Sequence, residues 1–71
     1  MSIYCNENVS GTNLKKDDWV VSNEYEQIAI GIASGCNTAL IGKETDIVSP
    51  SFCSPTVEDA MRFIHAFSEV T

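Results

Sequence analysis

The stretch Tyr25-Glu26-Gln27-Ile28-Ala29-Ile30-Gly31-Ile32-Ala33-Ser34-Gly35 decides the fold. With period two, Ile28, Ile30 and Ile32 share one face, and Gln27, Ala29, Gly31 and Ala33 share the other. That alternation favours a strand. A helix competes for the same residues. Asn23 would cap it, Glu26 follows three residues later as in a capping box, and Gly35 would end it as the C′ residue. The helix would set Ile30 opposite Tyr25, Ile28 and Ile32 and would bury Gly31 in its interior at a cost of about 1 kcal/mol. The alternation therefore predicts a strand over Tyr25 to Ala33.

Outward from this stretch the rest follows. Trp19-Val20-Val21-Ser22 reads as a preceding strand, rich in β-branched and aromatic side chains. Ser34-Gly35-Cys36-Asn37 reads as a hairpin turn, and Thr38 to Ile41 as the return strand. Gly42-Lys43-Glu44-Thr45 turns again, and Ile47-Val48 forms a short strand that Pro50 ends or confines to an edge. A weak strand is expected near Ile3 to Cys5. Residues 6–18 read as loop, crowded with Asn, Ser, Gly and Thr.

The C-terminal segment 55–70 carries the clearest helical period. Val57, Ala60, Met61, Ile64 and Phe67 form one stripe with Phe63 at its edge, and Glu58, Asp59, Arg62, His65 and Glu69 lie opposite. Thr56 as N-cap with Asp59 three residues on marks its start; Ser54 with Pro55 at the first helical position is the alternative. Glu58 with Arg62, and His65 with Glu69, are spaced for i,i+4 pairs. The expected fold is α+β: residues 1–71 as one small domain, an antiparallel β-meander of three to four strands, and the C-terminal amphipathic helix packed on one face.

Charge bounds the function. Ten acidic residues stand against four basic ones, for a net charge of −6 in 71 residues. Such a chain repels nucleic-acid phosphates and anionic lipids and attracts basic protein surfaces. The N-terminus, with no basic region and no apolar run, does not read as a signal peptide, and Ile28 to Ala33 is too short to span a bilayer. Cys5, Cys36 and Cys53 lack any C-x-x-C spacing and read as free thiols of a cytoplasmic protein.

Catalytic signatures are weak. Gly42-Lys43 is followed by Glu44 rather than Ser or Thr, so no phosphate loop is present. Cys5, Cys36, Cys53 and His65 have zinc-type side chains without zinc-type spacing. Cys53 precedes a helix N-terminus, which lowers a thiol pKa. His65, twelve residues later, would lie roughly 15 Å away along that helix, beyond reach as a base. No enzyme activity, cofactor or metal is expected.

In the expected meander, Glu24 and Glu26 stand at one end of the sheet, and the third strand returns Lys43, Glu44 and Asp46 to the same end, with Glu69 nearby. Asp17, Asp18, Glu58 and Asp59 fall at the other end beside Lys15, Lys16 and Arg62. Glu24, Glu26, Glu44 and Asp46 are therefore the candidate partner-binding residues, with Trp19 or Tyr25 as an aromatic anchor. The expected function is protein binding, most concretely inhibition by occupying a basic, nucleic-acid-binding surface of a larger complex. A structural or regulatory homo-oligomer, paired through the Ile-rich strand or an edge strand, is the alternative. In format the chain is similar to small phage-encoded counter-defence proteins such as anti-CRISPRs. That likeness is one of size, charge and coarse architecture and covers no motif.

Overall fold

A computed structural model describes residues 2–43 and 45–70, with side chains to residue 67. The elements run β1 (Ile3–Cys5), β2 (Trp19–Ser22), α1 (Tyr25–Ser34), β3 (Asn37–Ile41), β4 (Phe52–Ser54) and α2 (Val57–Val70). The strands form one sheet in the order β1-β2-β3-β4, and every neighbouring pair is parallel. The antiparallel meander is thereby overturned.

The reason lies in the deciding stretch. Residues 25–34 are helix α1, not a strand. Its buried positions are Gln27, Ile28 and Gly31, a helical stripe that faces the sheet. Ile30 packs beside that core, while Ile32 is left 41% exposed. The helix thus tolerates one outward isoleucine, and the alternation of isoleucines carries no structural meaning. Gly31 is the enabling residue. A Cβ there would stand 2.7 Å from Thr38 Cγ2 and 3.1 Å from Val20 Cγ2, so only glycine permits this approach of helix to sheet.

Segment 34–37 is correspondingly no hairpin. Gly35 adopts φ 80° and donates its N–H to Ile32 O, while Cys36 N–H donates to Gly31 O. Those two bonds are a Schellman ending, with Gly35 at C′ as the helical alternative requires. At the other end Glu24, not Asn23, is the N-cap residue, and it makes no side-chain cap bond. A helix between β2 and β3 is the usual crossover that makes two strands parallel.

The remaining crossovers, 6–18 and 42–51, contain no helix or strand among their described residues. Ile47-Val48 lies in the second of them, so the last strand is Phe52–Ser54, beyond Pro50 rather than before it. Val9, Leu14 and Val48 from these crossovers join Val20, Ile28, Cys36 and Leu40 in a core on the α1 face. On the opposite face Trp19, Val21 and Ala39 pack against Ala60 and Ile64 of α2. Both faces of β2 are therefore buried, as expected for a parallel strand. Helix α2 starts as read: Thr56 Oγ1 accepts the Asp59 N–H at 3.2 Å. Its far end returns toward the start of β2, where Phe67 meets Trp19 edge to face at 6.3 Å between centroids.

Candidate functional site

In a parallel sheet all strand C-termini lie on one edge; the order β1-β2-β3-β4 never reverses, so this edge has no topological switch point of the kind at which open α/β sheets bind ligands. Here Cys5, Ser22, Ile41 and Ser54 end their strands there. Both helices start from the same edge, because α1 follows β2 and α2 follows β4.

A cleft of about 580 Å³ opens on this edge between the β1–β2 crossover and the first turn of α1. One wall is the segment Asn6–Ser10. Asn6 takes φ 54°, a conformation asparagine tolerates, and its N–H continues the ladder to Val21 O at 2.8 Å. The segment is anchored by Val9, whose side chain is buried and whose N–H donates to Gln27 Oε1 at 2.8 Å. The other wall is Ser22 to Gln27. Ser22 Oγ accepts the Glu24 N–H at 3.0 Å. Around this polar floor stand Glu7, Glu24 and Glu26, all exposed.

The expected site residues separate. Glu24 and Glu26 line the cleft. Asp46 is exposed in the crossover that leaves β3 and does not line it. Glu44 and the side chain of Glu69 lie outside the described residues. Glu58 and Asp59 were expected at the opposite end. They instead occupy the first turn of α2, on the same edge as Glu24, because the parallel sheet brings the ends of β2 and β4 together. Glu7 was missed altogether. The signal for it was available, since it follows β1 as Glu24 follows β2, but it acquires meaning only in a parallel sheet.

Asp17 and Asp18 do stand at the other edge, before β2. Asp18 is buried there in a structural role: Oδ1 accepts the Ser2 N–H and Oδ2 the Lys15 N–H, each at 2.9 Å. Those bonds, Lys15 first, hold its carboxyl below the usual aspartate range. Lys15 and Lys16 are exposed near it. The two edges thus differ in charge: Glu7, Glu24, Glu26, Glu58 and Asp59 outnumber Lys43, which follows β3, and Arg62, which reaches Asp59, on one, while Lys15 and Lys16 balance Asp17 and Asp18 on the other.

The remaining candidates dissolve into structure. Trp19 is core, whereas Tyr25, at the first position of α1 and 43% exposed, stays available as an anchor. Arg62 reaches Asp59 at 3.7 Å rather than forming the expected pair with Glu58, and so exposed a contact contributes little. Cys36 is buried, its Sγ donating to Gly31 O, and desolvation pushes its thiol pKa up. Among the described residues no group of three His, Cys, Asp or Glu side chains is placed to hold a metal. No helix among them is long and apolar enough to cross a membrane. In comparisons with known proteins, no family model, curated protein or solved structure matches this chain.

Proposed function

We propose that this chain is an acidic protein-binding module of the cytoplasm that inhibits a larger complex by occupying its basic, nucleic-acid-binding surface. One observation supports the reading above others. The parallel topology delivers every strand C-terminus and both helix N-termini to one edge, and that edge carries Glu7, Glu24, Glu26, Glu58 and Asp59. A net-acidic edge attracts a basic surface, speeds encounter at low salt, and competes with phosphates for the same cations. Recognition in this reading belongs to Glu24 and Glu26, joined by Glu7, with no chemistry performed.

The test is a tagged pull-down from bacterial lysate at low and high salt, with identification of the eluted protein. The expected result is a basic, nucleic-acid-handling protein, retained at low salt, released as salt rises, and displaced by added nucleic acid. Retention of no such protein overturns the reading.

A second reading, a homo-oligomer, draws on a different observation. Phe63 and Phe67 on α2 are 49% and 51% exposed, although Phe63 also packs on Phe52, the rings tilted by 42° with centroids 4.2 Å apart. The Ile-rich strand once expected as the interface does not exist, so this helix face would replace it. Light scattering of the purified chain decides between monomer and oligomer. A Phe63→Ser, Phe67→Ser variant should dissociate an oligomer of this kind.

A further inference from the structure

We propose that the cleft between Asn6–Ser10 and the first turn of α1 receives one basic residue of an extended peptide segment. Its ammonium or guanidinium group lies among Glu7, Glu24 and Glu26, and its backbone carbonyl accepts from Gln27 and Ser22. The inference rests on the acidic-edge reading and deepens it by naming the subsite and the chemistry that fills it.

The carboxylates alone do not carry it; the floor does. Gln27 is only 8% exposed and lines the cleft. Its Oε1 is taken by the Val9 N–H. That leaves Nε2, which has no hydrogen-bond partner among the described residues and is not sealed from solvent either. The residue's small exposed part is thus an amide donor at the base of the cleft. Ser22 is 2% exposed and lines the same floor. Its Oγ accepts from Glu24, so its hydroxyl proton remains to be donated. A donor on a largely buried side chain that opens only to a cleft is met there by water or by an acceptor from outside.

Floor donors and rim carboxylates ask for different things, and the ligand must supply both. An anion would satisfy the donors but meet Glu7, Glu24 and Glu26. A bare cation would satisfy the carboxylates and leave the donors to water. A neutral sugar would lack an aromatic face to stack on, since no aromatic residue lines the cleft. A lysine or arginine within a peptide carries a cation and a carbonyl a few atoms apart, and the cleft's volume suits a fragment of that size.

The test is a titration of the ¹⁵N-labelled full chain, followed by NMR. The probes are acetyl-Gly-Gly-Arg-Gly-Gly-amide and, as a cation without a carbonyl, spermine. With the peptide, at millimolar concentration, the largest shifts are expected at the Gln27 side-chain amide and the backbone amides of residues 6–10 and 24–27. Spermine should leave the Gln27 side chain far less affected. Glu24→Gln with Glu26→Gln should weaken peptide binding about tenfold. Glu58→Gln with Asp59→Asn, an equal charge change on the same edge, should weaken it less than about twofold. If the two double variants weaken binding alike, or shifts spread evenly over both helix starts, the subsite is refuted while the acidic-edge reading stands. If the peptide produces no shift at millimolar concentration, the subsite is refuted as well, and the pull-down judges the edge independently.

Discussion

Replacing Gly31 with alanine would place a methyl carbon 2.7 Å from Thr38 Cγ2, 3.1 Å from Val20 Cγ2 and 3.3 Å from Val20 Cβ. None of these neighbours yields easily. Val20 is fully buried in the centre of the sheet. Thr38 is locked by its own hydroxyl, because Oγ1 accepts the Ser51 N–H at 3.0 Å while the Ser51 hydroxyl accepts the Thr38 N–H at 3.1 Å. Rotating the methyl away would break the first bond. The substitution gains about 1 kcal/mol of helix propensity. Overpacking of this kind costs about 1–3 kcal/mol, and three tight contacts on stiff side chains put it in the upper half. The net loss is about 1–2 kcal/mol, a large share of the roughly 4–10 kcal/mol a chain this size commands. With an m-value of about 1 kcal/mol/M, the urea midpoint should fall by about 1–2 M. Thr38→Ser removes the offending methyl and keeps the hydroxyl. Added to Gly31→Ala it should recover a good part of the loss, a coupling of at least about 0.5 kcal/mol. An unchanged or higher midpoint for Gly31→Ala would refute the close packing of α1. So would a Thr38→Ser change that gives no rescue. Had residues 25–33 been a strand, alanine at position 31 would stabilise, so the sign of the effect tests the parallel fold itself.

Other outcomes follow from the same geometry. Glu24→Lys with Glu26→Lys should slow capture of a basic partner about tenfold or more at low salt, with the difference shrinking as salt rises, as surface plasmon resonance would measure. Glu7→Gln should weaken the same binding while leaving the thermal midpoint unchanged or slightly raised. Asp18 has a folded pKa below its ordinary 3.8, so its contribution to stability is full above that value and is lost as pH falls from there through the folded pKa. Urea midpoints measured across this acid range should fall for the native chain and lose that portion of the fall in Asp18→Asn. With a maleimide at mildly alkaline pH, Cys5 and Cys53 should be modified before Cys36, which is buried with a raised pKa. Mass spectrometry of partly labelled protein gives the order.

What the sequence disclosed was local, and what it concealed was long-range. Helix α2 was legible because its apolar stripe and Thr56 cap are both encoded within one segment. Strand β2 was legible from its β-branched run; β3 was read as the return strand of a hairpin turn that the fold lacks. Helix α1 was not, because its decisive feature is the contact of Gly31 with Thr38 and Val20 across the fold. In the chain alone, a glycine inside a helix counts against the helix; in the fold it is what lets the helix lie down on the sheet. Val9 was hidden in a similar way. Among polar neighbours it looks like loop, yet its buried side chain and its bond to Gln27 hold one wall of the cleft. The candidate site was half legible for the same reason. Glu24 and Glu26 are neighbours in the chain, while their association with Glu7 depends on β1 and β2 running parallel.

The helix dipoles divide the acids of this edge into two kinds. Glu26, Glu58 and Asp59 stand in first helical turns, where the dipole favours a carboxylate by about 0.3–1 kcal/mol. Their positions are explained by folding alone. Glu7 is in a crossover, with no helix to stabilise it, and Glu24 is an N-cap that makes no cap bond. Setting these two beside Glu26 gathers like charge around one cleft, and no Lys or Arg among the described residues lines it. A cation from outside would offset that charge, and the unoccupied donors of Gln27 and Ser22 beneath the same carboxylates point to that occupant. This is why Glu7 separates the readings better than any other residue. If acidity here serves only solubility, Glu7→Gln leaves binding of a basic partner unchanged. If the edge is built for a basic surface, the same change costs affinity in the complex.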